Sequence, residues 1–199
     1  MKHEEQNQLT TTNIKNAFIQ LIDQKGFNAI TVADVTRTAG VSRGTFYVHY
    51  LDKFDLLLKI EDEIYFNIEK IINDNLEETL LLAADKDQRD VPYRIFLQSL
   101  DYVYVQRETI QSLFSEKGDP LFFNRIRDMV DDLFTSRMKE TGAKFSSVIP
   151  QDYSKEIVIN NLLNIIRHWL DKTKPETPSK LTGILMASLF LSPNELIEI

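Results

Sequence analysis

Cysteine is absent from the 199 residues, which excludes disulfide staples, thiolate metal sites and a cysteine nucleophile. Histidine is scarce, with three in the whole chain, so imidazole acid–base chemistry has few places to reside. No apolar run is long enough to cross a bilayer. The strongest stretch, residues 181–191, contains Thr182 and Ser188 and falls well short of the roughly 20 residues needed. The opening MKHEEQNQLTTT carries glutamates where a signal peptide has its apolar segment. These absences lead to the expectation of a soluble cytoplasmic protein, not associated with a membrane, in a reducing compartment. Sustained strand-like alternation, internal repeats and low-complexity tracts are missing as well.

Proline is missing from the first 91 residues; all six (Pro92, Pro120, Pro150, Pro175, Pro178, Pro193) come later. Three of the six glycines, Gly26, Gly40 and Gly44, fall within the first 44 residues. Short glycine-punctuated segments therefore precede longer proline-bounded ones. An apolar content of 43% supports a packed core, and the length suits one sizeable domain or a small one fused to a larger. The net charge of -7 and a pI near 5.0 argue against indiscriminate binding to nucleic acid.

What remains reads as helices throughout. Ile14, Ala17, Phe18, Leu21 and Ile22 form an apolar stripe, closed by Lys25-Gly26 as a basic last turn with a glycine stop. Thr31 followed by Asp34 reads as a capping box for a short helix that Gly40 ends. Ser42 caps another short helix over residues 43–49. Asp52 and Asp55 then open a long helix through Leu56, Leu57, Ile60, Ile64 and Ile68. Further helices are predicted at about 91–106, 108–116, 120–141, 152–172 and 178–191, with Pro92, Pro120 and Pro178 each in a first turn. The fold class expected is all-α.

Two short helices joined by Ala39-Gly40-Val41, with a supporting helix ahead of them, make a helix-turn-helix pattern. In such a unit the second helix presents side chains to base edges in the major groove. Phe46 is the apolar member that faces the Ile14/Phe18/Leu21 stripe. Arg43, Thr45, Tyr47 and His49 are then left with their polar tips pointing away.

The run GVSRGTFYVHYLDKFDLL over residues 40–57, with Thr31-Val-Ala-Asp-Val and the Lys25-Gly26-Phe27 stop before it, resembles the TetR/AcrR family of bacterial transcription regulators. The resemblance covers roughly residues 10–60. Phe54 stands where that family often has an acid or tyrosine, a departure read as tuning of packing. The resemblance implies an N-terminal three-helix DNA-binding domain and a larger helical ligand-binding and dimerisation domain. It divides the chain into a flexible arm (1–9), a DNA-binding head (10–60) and a body (61–199). By position, Arg43 is the base reader, since a guanidinium pairs bidentately with guanine O6 and N7. Gly44 permits close approach, Thr45 and Tyr47 touch phosphate or base edges, and His49 and Lys53 hold phosphates. Thr31 caps its helix and offers its backbone amide to a phosphate. Blander readings stand beside these. Arg43 is then an ordinary exposed arginine, Tyr47 a rim residue, His49 a helix-dipole partner, and Thr31 a cap alone.

In that family the last two helices pair with their mates, here about 152–172 (Val158, Leu162, Ile165, Ile166, Trp169) and 178–191 (Leu181, Ile184, Leu185, Leu189). A homodimer is therefore expected, the alternative being that both stripes line the monomer core. Fourteen aromatics lie beyond residue 60, most of them core by their spacing. Phe96, Tyr102, Phe114 and Trp169 are candidates to line a site for a small apolar or aromatic effector. Asp128, Asp131 and Asp132 share a helix face but lack histidine neighbours and read as solvated, so no metal is expected. No cofactor is expected either. His168 has no partner at catalytic spacing, which disfavours a helical enzyme.

The reading that follows is a ligand-responsive repressor that binds a palindromic operator in double-stranded DNA as a dimer. A second reading is a co-activator or adaptor of the same fold controlled by a protein partner. The charge distribution fits the first. Residues 1–60 hold 7 basic and 6 acidic side chains, whereas residues 61–199 hold 16 and 24. A near-neutral head on an acidic body suits selective binding through one end.

Overall fold

The computed structural model describes residues 2–82, 90–142, 144–145 and 148–188. Among them nine α-helices and one 3-10 turn occur, and no strand. The helices are α1 (Lys2–Lys25), α2 (Val32–Ala39), α3 (Arg43–His49), α4 (Lys53–Leu82), α5 (Asp90–Val105), α6 (Arg107–Phe114), α7 (Phe122–Thr141), α8 (Gln151–Asp171) and α9 (Pro178–Ser188). The 3-10 turn, Phe27–Ala29, lies between α1 and α2. Two compact units are present: residues 1–67 with 108–123, and residues 68–107 with 124–199.

In the first unit the sequence rules for helix ends hold residue by residue. Thr31 Oγ1 accepts the Asp34 backbone N–H at 3.2 Å, and Asp34 Oδ2 accepts the Thr31 N–H at 3.0 Å, completing the capping box of α2. Gly40 ends that helix in the left-handed region (φ 67°, ψ 30°), where a β-carbon would be strained. Ser42 Oγ accepts the Thr45 N–H at 2.9 Å, and Asp52 Oδ1 accepts the N–H groups of Phe54 and Asp55. The α1 stripe is buried together with Val35, Phe46, Leu56, Ile60 and Ile64. Residues 2–9, expected as a flexible arm, are instead the first turns of α1. Residues 1–25 contain neither glycine nor proline, so nothing interrupts the helix ahead of its apolar stripe.

A second difference concerns the boundary drawn at residue 60. Packing groups α6 and the turn after it with the head. Ser112 Oγ donates to Asp23 Oδ1 at 2.6 Å, Lys117 Nζ to the Asp23 carbonyl at 2.8 Å, and the Phe27 N–H to the Lys117 carbonyl at 2.8 Å. The Lys117 bond satisfies a carbonyl in the last turn of α1, and the other two tie α6 and the turn after it to the same end of the helix. The turn depends on Gly118, where a β-carbon would lie 2.3 Å from the Leu113 carbonyl oxygen.

In the second unit α9 packs on α5 and α8, and Leu100, Val103, Ile159, Leu162, Leu163, Leu181 and Leu185 are buried. Trp169 is buried, tilted against Tyr104 at 5.8 Å, and its indole N–H donates to the Glu176 carbonyl at 2.8 Å. Arg107 donates to the carbonyls of Leu170 and Lys172, closing the C-terminal end of α8. Lys155 pairs with Asp131 at 2.8 Å, and Arg127 pairs with Glu156. The Lys155 ammonium holds the Asp131 carboxyl below its ordinary range, as the Arg127 guanidinium does Glu156.

Candidate nucleic-acid interface

The chain offers its exposed chemistry on α3. Four of that helix's residues are exposed, Arg43, Gly44, Tyr47 and Val48, at i, i+1, i+4 and i+5. That spacing is one face of a 3.6-residue helix. No acid occurs in the helix, and the nearby carboxylates are already engaged. Asp34 takes Lys25 at 2.5 Å and Arg37 at 2.7 Å. The Lys25 bond foremost, then the Thr31 hydroxyl and backbone N–H, hold its carboxyl far below the usual carboxylate range. Asp55 accepts the Leu51 N–H at 2.8 Å and pairs with Lys59, which lowers it too.

Charge bookkeeping singles out Arg43. Lys15 pairs with Glu63, Lys25 and Arg37 with Asp34, Lys59 with Asp55, and Lys53 with carbonyl oxygens. Among the described lysines and arginines of residues 5–60, Arg43 alone has no intramolecular partner. It sits in the first turn of α3, where a cation opposes the helix dipole. The fold gives this guanidinium nothing to bind, so it is free for an external acceptor.

Gly44 supports the same conclusion by a different route. A glycine inside a helix costs about 1 kcal/mol relative to alanine. A β-carbon there would meet only Ser42 Oγ, at an ordinary 3.6 Å. Nothing within the chain requires glycine at this position, whereas close approach of an outside surface does.

The other expected contact residues are placed as follows. Tyr47 is 56% exposed, its ring edge-on to buried Phe46 at 5.6 Å, so the phenol tip is directed outward. Thr45 is half-buried with its hydroxyl 2.8 Å from Ser42 Oγ, which commits it to the cap of α3. His49 is half-buried at the last turn, tilted against Tyr50 at 6.2 Å, and its carbonyl accepts Lys59 Nζ at 3.0 Å. Burial, with Glu63 and Asp55 nearby, pushes the Tyr50 phenol up to about 12, so it stays neutral in the core.

Two expected phosphate contacts are corrected. The Thr31 amide donates to Asp34, so it has no free N–H to offer. Lys53 Nζ donates to the carbonyls of Phe27, Asn28 and Ile30, each at 3.0 Å, and lies over the rings of Phe27 and Phe54 at 4.8 and 5.4 Å. An ammonium has three N–H donors, and all three are taken. Its unfavourable place at the start of α4 is offset by these carbonyls. Phe54, the departure from the family pattern, is part of this clasp: its ring meets Phe27 edge-on at 5.4 Å.

Val48 was not foreseen. Assigning alternate residues of α3 to the outside uses a period of two, which belongs to strands. Counting at 3.6 residues per turn from Arg43 would have placed Val48 on the outer face and turned Thr45 partly inward.

The effector candidates fall in both units. Phe114, in the first unit, packs on Phe122 and Phe123 at 5.0 and 5.9 Å. Phe96 and Tyr102, in the second unit, are half-buried. Trp169 has a structural role: its ring lies against Tyr104 of α5, and its indole N–H donates to the Glu176 carbonyl in the α8–α9 connection. The predicted pairing stripe also divides. Leu162, Trp169, Leu181 and Leu185 face the core of their own unit, Val158, Ile165 and Ile166 are half-buried, and Ile184 is exposed; Tyr153 and Ile157, outside that stripe, are exposed on α8 as well. Leu189 lies outside the described residues. Among the described residues no helix is long and apolar enough to cross a membrane, and no cluster of His, Asp and Glu is placed to hold a metal ion.

Comparison with known proteins bears on the same two segments. Residues 16–60 match the profile described as bacterial regulatory proteins, tetR family, and residues 90–190 match that of a transcriptional regulator C-terminal region. The chain is 33% identical over 89 residues to the uncharacterized HTH-type transcriptional regulator YwcC of Bacillus subtilis, covering 44% of this chain and 40% of that protein. It is 26% identical over 117 residues to the HTH-type transcriptional repressor BepR of Brucella suis, covering 51% of this chain and 56% of that protein. The matches thus span about half the length of these curated relatives. A TetR transcriptional regulator from Streptococcus agalactiae superposes with a TM-score of 0.62 at 25% identity, over 95% of this chain and 98% of that one.

Proposed function

Because the chain belongs to the TetR family of bacterial regulatory proteins, we propose that it is a sequence-specific DNA-binding repressor acting at a palindromic operator as a homodimer. The observation that carries this is the outer face of α3. It holds an unpartnered Arg43, a Gly44 that the fold does not require, and an outward Tyr47, with no acid on the helix. Arg43 reads guanine, Tyr47 contacts a base edge or phosphate, and Gly44 lets α3 enter the major groove. Residues 10–60 supply the reading head.

The second unit, residues 68–107 with 124–199, supplies pairing and control. Tyr153 and Ile157 on α8 and Ile184 on α9 leave apolar surface for a second copy. Gly183, whose missing β-carbon faces open space, lets a partner helix approach α9. An apolar or aromatic effector bound to the body shifts the separation of the two heads, which must match half-sites a fixed number of turns apart. Fluorescence anisotropy with DNA from upstream of the protein's own gene tests the proposal. Saturable, salt-sensitive binding that an unrelated duplex does not compete away is expected. The absence of such binding to any fragment of that region would count against it.

A further inference from the structure

Val48 is 79% exposed on the reading face, and the fold gains nothing from it. A β-branched residue is a modest helix former, and at this exposure it buries almost no apolar surface. Isolated exposed valines are common and need no explanation. This one is not isolated: it stands beside Arg43, Gly44 and Tyr47 on a single face. Side chains on a helix lean toward its N-terminus, so the isopropyl group of Val48 leans over the position one turn earlier. That position is Gly44, which has no side chain. Val48 and the bare Gly44 position thus form an apolar strip beside Arg43 and Tyr47 on that face. In a helix χ1 of valine is held largely to one rotamer, so this strip is rigid.

In the major groove the one apolar group that distinguishes a base pair is the C5-methyl of thymine. We propose that Val48 is a second sequence-reading residue, its isopropyl group and the Gly44 gap together seating a thymine methyl. At a rise of about 1.5 Å per residue, Val48 lies about 7.5 Å along α3 from Arg43. The thymine therefore falls about two base-pair steps from the guanine that Arg43 reads. This rests on the DNA-binding reading above and adds to it a particular side chain, a particular base and a spacing.

The test uses the full chain and random duplex DNA. In vitro selection gives the preferred site, and each thymine of that site is then replaced by deoxyuridine, which removes only the methyl group. One thymine per half-site is expected to lose about fourfold in affinity, the worth of one methyl-sized group taken from water. Replacing both symmetric thymines should lose about fifteenfold. In Val48→Ala this penalty should vanish while the preference for guanine two steps away persists. Val48→Thr, which keeps the shape and one methyl, should retain part of it. Equal deoxyuridine penalties in wild type and Val48→Ala, or insensitivity at every thymine, would overturn the assignment while leaving the DNA-binding reading intact. Selection that yields no preferred sequence would overturn both.

Discussion

Replacing Lys53 by methionine separates two roles that a lysine at the start of α4 can play. If it held a phosphate, the variant would fold as well as the parent and bind DNA with a weaker dependence on salt. The structure assigns it inward, to three carbonyl oxygens at 3.0 Å around the Phe27–Ala29 turn. A hydrogen bond to a charged group contributes roughly 1.5–3 kcal/mol in mutational series. Lys53 is half-exposed, so water recovers much of that on its removal. Two cation–π contacts add about 0.5–1 kcal/mol each at such exposure. A net loss of roughly 2 kcal/mol in unfolding free energy is expected for Lys53→Met, read as a lower urea midpoint at unchanged slope. The operator-binding salt slope should not change, because no phosphate contact is lost. A phosphate contact in each head of a dimer would reduce that slope by about 1.8. Lys53→Arg sharpens the distinction: a planar guanidinium serves a phosphate well but cannot turn three donors into one ring of carbonyls. It should destabilise almost as much as methionine. A full-strength fold with a slope lowered by about 2 in Lys53→Met would refute the inward assignment.

Further outcomes follow from the same geometry. Gly44→Ala should raise stability by about 0.5–1 kcal/mol, since nothing in the chain opposes the β-carbon, while weakening operator binding by at least about tenfold. Calorimetry and anisotropy on one sample check both signs. The Asp34 carboxyl is depressed in the folded state, so its stabilisation is complete above the ordinary value near 3.8 and is lost as pH falls further. Acid unfolding of Asp34→Asn should accordingly show a flatter pH dependence below about pH 4. Ile157→Glu with Ile184→Glu should raise the dimer dissociation constant at least about 30-fold, roughly 2 kcal/mol, by sedimentation. The monomer should fold normally, because both side chains are exposed in the chain itself.

What could be read ahead of the structure was whatever is encoded within about four residues. Thr31 with Asp34, Ser42 with Thr45, and Gly40 after α2 are local rules of helix capping, and each appears as expected. Lys53 could not be placed that way, because its partners lie 23 to 26 residues earlier and are backbone atoms with no sequence signature. The same holds for Ser112 and Asp23, 89 residues apart, which draw α6 into the head. In the sequence Trp169 reads as a ligand contact because an aromatic on an apolar stripe looks alike whether it lines a site or a core. Its bond to the Glu176 carbonyl decides for the core. Val48 was legible and missed: the information lay in the helical period, applied to a segment already recognised as a helix.

The central claim is that Arg43, left without a partner by the fold, reads sequence rather than supplying charge. The direct measurement is the affinity of wild type and Arg43→Ala for the selected operator and for an unrelated duplex at one salt concentration. The wild type should prefer the operator by about a thousandfold or more. The substitution should remove about 1–3 kcal/mol of operator binding, relax the preference at one base pair per half-site, and leave binding to the unrelated duplex nearly unchanged. Equal losses on both duplexes would contradict it.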